Sequence, residues 1–348
     1  MKRTQLDLLG SIKNDAIAFS HSPKFYLLTT AIAVLLVLPI FFSSYVISEV
    51  LTPMIIFAIY ASSWNLLSLS GQGSLGHAAF LGIGGFTSAL LAVKAGLPPI
   101  IGLFLGSFVS AAIGLLIGLA CIRLKAWFLA MVTFGFSVII VTIFSEFDSF
   151  TGAIMGFRAP LIVDRGAPFY YLTVALASIS IIIMYLIMKS KLGLAFRAIH
   201  QNEAEAKMIG INTGKYRLIA FVISTFFAGL AGGLYAQSIR YIQISIFNPY
   251  YSFLPLMMSV IGGLGTIEGP ILGSVIIVAI DRYLPSIDLI LNSFLHPLFP
   301  SVSNVGPPLR MLCLGLFLVA VVIFAPKGVA PFVRKAYTYL HLHLARSD

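Results

Sequence analysis

Apolar tracts almost free of charge recur along this chain. They run over 25–48, 50–70, 76–93, 97–120, 126–145, 168–188, 218–238, 250–264, 270–285 and 309–325. Most have the length of about 18 residues or more that a helix needs to cross a bilayer core. The tracts at 250–264 and 270–285 are shorter. The pattern predicts an all-α polytopic membrane protein of about ten transmembrane helices. The polar lead before the first tract holds Lys2, Arg3, Asp7, Lys13, Asp15 and Lys24. A secretory signal would start its apolar region earlier and keep it shorter, and a mitochondrial presequence would avoid the two aspartates. Three regions are therefore expected: a cytoplasmic tail over 1–24, a transmembrane domain over 25–325 and a cytoplasmic C-terminal tail over 326–348.

The charges that separate the tracts set an orientation. With the N-terminus inside, one side holds sixteen of the 22 basic residues, in the N-terminal tail, at Arg123 and Lys125, in the 189–217 loop and after Lys327. The other side holds Lys94, Arg158, Arg165, Arg240, Arg282 and Arg310. That asymmetry is the positive-inside pattern, and it predicts both termini in the cytoplasm.

Composition agrees with lipid as the solvent. The chain is 59% hydrophobic and 10% charged, whereas a soluble domain carries about 25% charged residues. The net charge of +10 reports orientation rather than a nucleic-acid partner, because the basic residues punctuate the tracts. Cys121 and Cys313 have no metal-ligand spacing and read as small buried hydrophobes.

Glycine clusters interrupt two tracts. In "GQGSLGHAAFLGIGGF" (71–86), one kinked crossing would move every later loop to the wrong side. Gly71, Gly73, Ser74 and Gly76 are therefore expected where the chain reverses, and Gly82, Gly84 and Gly85 where helices pack closely. In "IGGLGTIEGPILGS" (261–274), Gly262, Gly263, Gly265, Thr266 and Gly269 precede Pro270 and read as a break between two short passes. Such a break is either a plain turn or part of a substrate path. Glu268 is expected at the cytoplasmic end. His77 stands in the membrane zone with no neighbouring carboxylate. A hydrogen bond that fixes the 71–76 turn suits it better than a proton relay.

The longest polar interruption is "KSKLGLAFRAIHQNEAEAKMIGINTGKYR" (189–217). Ala195, Ala198, Ile199, Ala206 and Ile209 recur at helical spacing, which predicts one amphipathic helix over 192–209 ended by Gly210 and Asn212. Such a helix suits either a partner's groove or the lipid surface. Glu49, Glu146, Asp148, Asp164 and Asp288 lie at tract ends or in outer loops, and Asp281 is expected to pair with Arg282. Scarce intramembrane carboxylates speak against ion coupling. The chain carries no phosphate-binding loop, zinc-protease motif or nucleophile elbow, so it is expected to be no enzyme and to hold no cofactor.

Four stretches in order, "GQGSLGHAAFLGIGGFTSALL" (71–91), "KLGLAFRAIHQNEAEAKMIGIN" (191–212) with "FVISTFFAGLAGGLYA" (221–236), "GGLGTIEGPILGS" (262–274) and "FAPKGV" (324–329), carry a family resemblance. The chain resembles the permease subunits of bacterial branched-chain amino-acid ABC importers, of the LivM type. The resemblance implies that 191–212 is a coupling helix docking onto a cytoplasmic ATPase through Glu203, Ala204, Glu205 and Gly210. It further implies a second, LivH-like permease, ATPase subunits that bind the ATP, a periplasmic substrate-binding protein and a place in the bacterial inner membrane. The chain departs from the family in the outer loop "FTGAIMGF" (150–157). Thr151, Gly152 and Gly156 remain, but Ala153 and Met155 replace a glycine and an acidic residue, which leaves the cargo open. The alternatives are a self-sufficient secondary carrier, a family permease for urea or short amides, and a non-transporting scaffold.

Overall fold

The computed structural model describes residues 34–121, 126–147, 152, 155–295, 306–332 and 335. The expected N-terminal tail, the C-terminal tail beyond 332 apart from residue 335, Thr151 and Ala153 lie outside these residues, as does the side chain of Cys313. Cys121 is buried.

Helices dominate. α1 covers 34–41 and α2 runs Ser44–Ser68. They are followed by α3 (His77–Lys94), α4 (Pro99–Cys121), α5 (Ala126–Glu146) and α6 (Ala167–Lys189). Two short helices, α7 (Lys191–Gln201) and α8 (Glu203–Met208), lead into α9 (Thr213–Ile239). α10 (Pro249–Gly262), α11 (Glu268–Leu295) and α12 (Gly306–Phe324) complete the order. Among the described residues, α2, α3, α4, α6 and α9, with Phe128–Glu146 of α5, are long and apolar enough to cross a membrane.

The core forms around α9, which packs against α3, α4 and α2. Lipid tails give helices no hydrophobic reason to associate, so close van der Waals contact must hold them together. Small residues permit it here. A Cβ at Gly84 would lie 2.3 Å from Gly229 Cα, and one at Gly232 would lie 1.8 Å from the Leu81 carbonyl oxygen. Where these backbones touch, the Ser110 hydroxyl lies 3.1 Å from the Phe80 carbonyl and 2.8 Å from that of Thr225. The α10–α11 pair packs against α2 as well, and α10 also touches α3.

Three expectations about the passes are corrected. The first and second tracts do not divide at residue 49. The helix breaks at 42–43, where Ser43 is extended, and α2 then runs unbroken through a π-helical turn at Ile47–Leu51. Glu49 sits inside that turn, ion-paired with Arg165 (3.0 Å) and Arg282 (3.4 Å). Paired in this way, the charge does not end the helix. The second correction concerns 250–264. α10 has 14 residues, about 21 Å at 1.5 Å per residue, too short to span. It is entered through irregular backbone. Arg240 turns the chain in a left-handed conformation, and Tyr241–Ile242 pairs antiparallel with Phe157–Arg158. A 3-10 turn at Ile244–Phe247 then sinks the Phe247 ring beside Gly82, stacked on Phe86 at 5.6 Å. The third correction is that the tract at 270–285 belongs to the 28-residue α11. Its Asp281 and Arg282 do not terminate it. Tyr250 donates to Asp281 at 2.8 Å, while Arg282 reaches Glu49.

The contact between α3 and α9 predicts that Gly84→Val destabilises the protein by roughly 1–3 kcal/mol or more through overpacking. Gly135→Ala, where a Cβ meets nothing within 4 Å, should leave the thermal midpoint unchanged or higher. Size-exclusion profiles of the heated, purified protein check both.

Candidate functional site

The expected helix over 192–209 is two helices. Asn202 is extended (φ −156°, ψ 110°) and caps α8, its Oδ1 accepting from the backbone N–H of Ala204 (3.0 Å) and Glu205 (3.4 Å). An asparagine that bonds to its own backbone competes with helix continuation. Glu205, three residues on, accepts from the Asn202 side-chain amide at 2.7 Å, so the two side chains close the cap together. Ser190 caps α7 and Asn212 caps α9 in the same manner. Gly210 has φ +85°, as expected of a residue that ends a helix.

Ala195, Phe196, Ile199 and Ala206 are buried beneath this segment, while Ala204 and Glu205 face outward. Ile209, placed by its spacing on the buried face, is 74% exposed beside Met208 at 88%. Glu203 is half-buried and pairs with Lys207 (2.8 Å) and Arg217 (2.8 Å), and it accepts from Thr213 at 3.3 Å. The hydrogen bond from Lys207, aided by Arg217, holds its carboxyl below the usual 4.5. Glu203 thus clasps α8 to the start of α9.

At the same end of the bundle, the glycine turns meet this segment. The chain leaves α2 through a turn at 69–71, and Gly71 (φ +73°) lies against His200 of α7, whose Cα would be 3.4 Å from a Cβ there. Residues 72–76 then run back inward without helix. Trp64 Nε1 donates to the Ser74 carbonyl at 2.9 Å, Leu75 N–H donates to Thr133 Oγ1 at 3.3 Å, and Gly76 is pressed flat on the Thr133 carbonyl. Gly73 has open space around it. His77 is fully buried, with Nε2 3.2 Å from Ser63 Oγ. Its bond therefore pins α3 to α2 across the turn, whereas Trp64 and Thr133 hold the turn itself.

The second turn lies alongside the first. Asn65 joins them: its Oδ1 accepts from Gly265 N–H (2.9 Å) and its Nδ2 donates to the Thr266 carbonyl (2.7 Å). Gly263 (φ +126°) and Gly265 (φ +73°) bend the chain, and Thr266 Oγ1 donates to the Gly263 carbonyl. Gly262 and Gly269 are in backbone contact, and Val329 N–H donates to the Ile261 carbonyl at 2.9 Å. Glu268 opens α11 at this end, partly buried. All four stretches quoted for the resemblance thus meet at this end of the bundle. Sequence reasoning missed Trp64, Asn65 and Thr133. The polar pair "WN" within an otherwise apolar tract was the available signal.

The outer loop is separate from this cluster. Gly152 and Gly156 are left-handed, Gly156 lies on the Ile242 carbonyl, and Met155 is 84% exposed. These glycines serve the backbone turn before Phe157.

Comparison with known proteins now identifies the family. The one described as "Branched-chain amino acid transport system / permease component" matches residues 46–322, and the chain belongs to it. The high-affinity branched-chain amino acid transport system permease protein LivM of Salmonella typhimurium is 27% identical over 317 residues, 82% of this chain and 70% of the relative. The LivH permease of the same organism is 29% identical over 130 residues, covering 36% and 39% of the two chains. The guanosine ABC transporter permease protein NupQ of Bacillus subtilis is 34% identical over 70 residues, or 20% and 22%. No solved structure matches. The chain is therefore a multi-pass membrane transport permease of the LivM type.

The Glu203 clasp carries a pH signature. A carboxyl whose pKa is lower in the folded state stabilises above its unfolded pKa, and that stability is lost as pH falls through the folded value. Hydrogen-exchange protection over 203–217, corrected for intrinsic rates, should fall as pH drops below about 4.5. In Glu203→Gln it should be lower at pH 7 and lose this acid limb.

Proposed function

We propose that this chain is one permease subunit of an ATP-driven importer for branched-chain or related hydrophobic amino acids in the bacterial inner membrane. The basic end that carries α7 and α8 faces the cytoplasm, and both termini lie there. A second, LivH-like permease completes the membrane domain, and a periplasmic binding protein delivers the cargo. Two cytoplasmic ATPase subunits bind ATP, and this chain holds no cofactor.

The contact of His200 with Gly71 carries this reading. A push on the exposed edge of α8, at Ala204, Glu205, Met208 and Ile209, acts on a segment that the Glu203 clasp fastens to α9. From α7 the push reaches the first turn through His200 and Gly71. Asn65 then links it to the second turn, 200 residues away in sequence. An ATPase seated on this edge would therefore act on both helix breaks together. Branched-chain amino acids are favoured over nucleosides or short amides as cargo because the LivM likeness spans most of the chain, whereas the guanosine permease matches a fifth of it.

Met208→Asp with Ile209→Asp places charge on the exposed edge and spares the clasp. Co-purification of the ATPase and leucine uptake by cells should each fall at least tenfold while membrane levels stay normal. Gly210→Val should insert normally and couple poorly, because a β-branched residue resists φ near +85°. Normal assembly and uptake in both variants refutes the docking. Accumulation of leucine by the purified chain alone, driven by an ion gradient, would establish the secondary-carrier reading instead.

A further inference from the structure

At the end of the bundle opposite the coupling segment lies a cavity of about 320 Å³, lined by α2, α9, α10, α11 and Arg165. No feature of the turn cluster reaches it. Ligand pockets begin at about 300 Å³, so the space suits one small molecule. Its walls are sharply divided. Phe57, Leu254, Met258, Ile277 and Val278 form an apolar part. Glu49, Arg165, Asp281 and Arg282 form a charged part, two anions and two cations.

The charged part is built by unusual backbone. Glu49 lies in the π-helical turn of α2, a geometry that occurs mostly as single turns within α-helices and is frequent at functional sites. The Glu49 carboxylate engages Arg165 and Arg282 through one nitrogen of each. The same Arg282 nitrogen also donates to the Tyr45 hydroxyl. A guanidinium has five N–H donors, so both arginines have further donors for a second carboxylate. Asp281 of α11 accepts from the Tyr250 hydroxyl of α10 at 2.8 Å, and both oxygen-bearing side chains line the cavity. Tyr235 and Tyr251, bonded to each other at 2.7 Å, line the same space. Arg165, Glu49 and Arg282 are each about one-third exposed, so the charged part opens outward.

The geometry points to this cavity as an amino-acid subsite at the outer mouth of the permease. The ligand carboxylate meets Arg165 and Arg282, its ammonium meets Asp281 and Tyr250, and an aliphatic side chain fills the space between Phe57 and Val278. This assignment rests on the transport reading above and deepens it, since it names the groups that would select a zwitterion with an apolar side chain.

The test is direct binding of radiolabelled L-leucine to the assembled importer in nanodiscs, without the binding protein. Wild type should bind saturably. Asp281→Asn should weaken binding at least tenfold, and Val278→Phe, which fills the apolar part, should abolish it. On the wild type, isovalerate and isoamylamine each lack one of the two charges and should compete at least tenfold less well than leucine. Equal binding by both variants, or equal competition by isovalerate or isoamylamine, overturns the subsite. So does a wild-type importer that takes up leucine without binding it in this assay. Each of these results leaves ATP-driven transport standing. Leucine binding that follows the expected pattern beside uptake indifferent to ATP supports the subsite and overturns the transport reading instead.

Discussion

Backbone N–H and C=O groups that leave a helix must find other partners when water is kept from them, and this constraint shapes both helix breaks. The chain breaks its helices at 69–76 and 263–267, yet side chains and neighbouring backbone take up the exposed groups. Trp64 donates to the Ser74 carbonyl, Thr133 accepts from Leu75, and Asn65 serves both Gly265 and Thr266. Each donor or acceptor projects from a helix that passes beside the break. The breaks are possible only because those helices are held close by.

Proximity in turn depends on small residues. Gly84, Gly229 and Gly232 let α3 and α9 meet backbone to backbone, and Gly82 leaves room for the Phe247 ring. That ring anchors the irregular segment before α10, whose cap Asn248 and first residue Pro249 are exposed. One packing device thus serves two purposes, since it joins helices and houses a non-helical chain segment.

The two ends of the molecule are built differently. At the basic end, a clasp, two short helices and two turns form a connected set of contacts suited to passing on a mechanical push. At the opposite end, a π-helical turn and the α10–α11 pair hold charges of both signs around an open space. α2 belongs to both, with Glu49 near its start and Asn65 near its end. One continuous helix thus borders both the turn cluster and the cavity.

By itself the sequence determined the solvent, most of the passes, the glycine breaks and the basic asymmetry. Each is a local property. A run of apolar residues partitions into lipid whatever its neighbours are, and Gly210 or Gly263 bends the chain because it lacks a Cβ. The split of α7 from α8 was also local, written in Asn202, but the apolar spacing hid it. Tertiary structure decided the rest. Glu49 stays inside a helix because Arg165 and Arg282 reach it from distant segments. Glu203 joins α8 to α9 because Arg217 stands across from it. Asn65 finds Gly265 from 200 positions away, and the outer cavity exists only where five separated segments enclose it. Hydropathy records how each segment prefers its solvent. It holds no record of which polar groups meet, because that depends on how closely the helices approach once they are in the membrane.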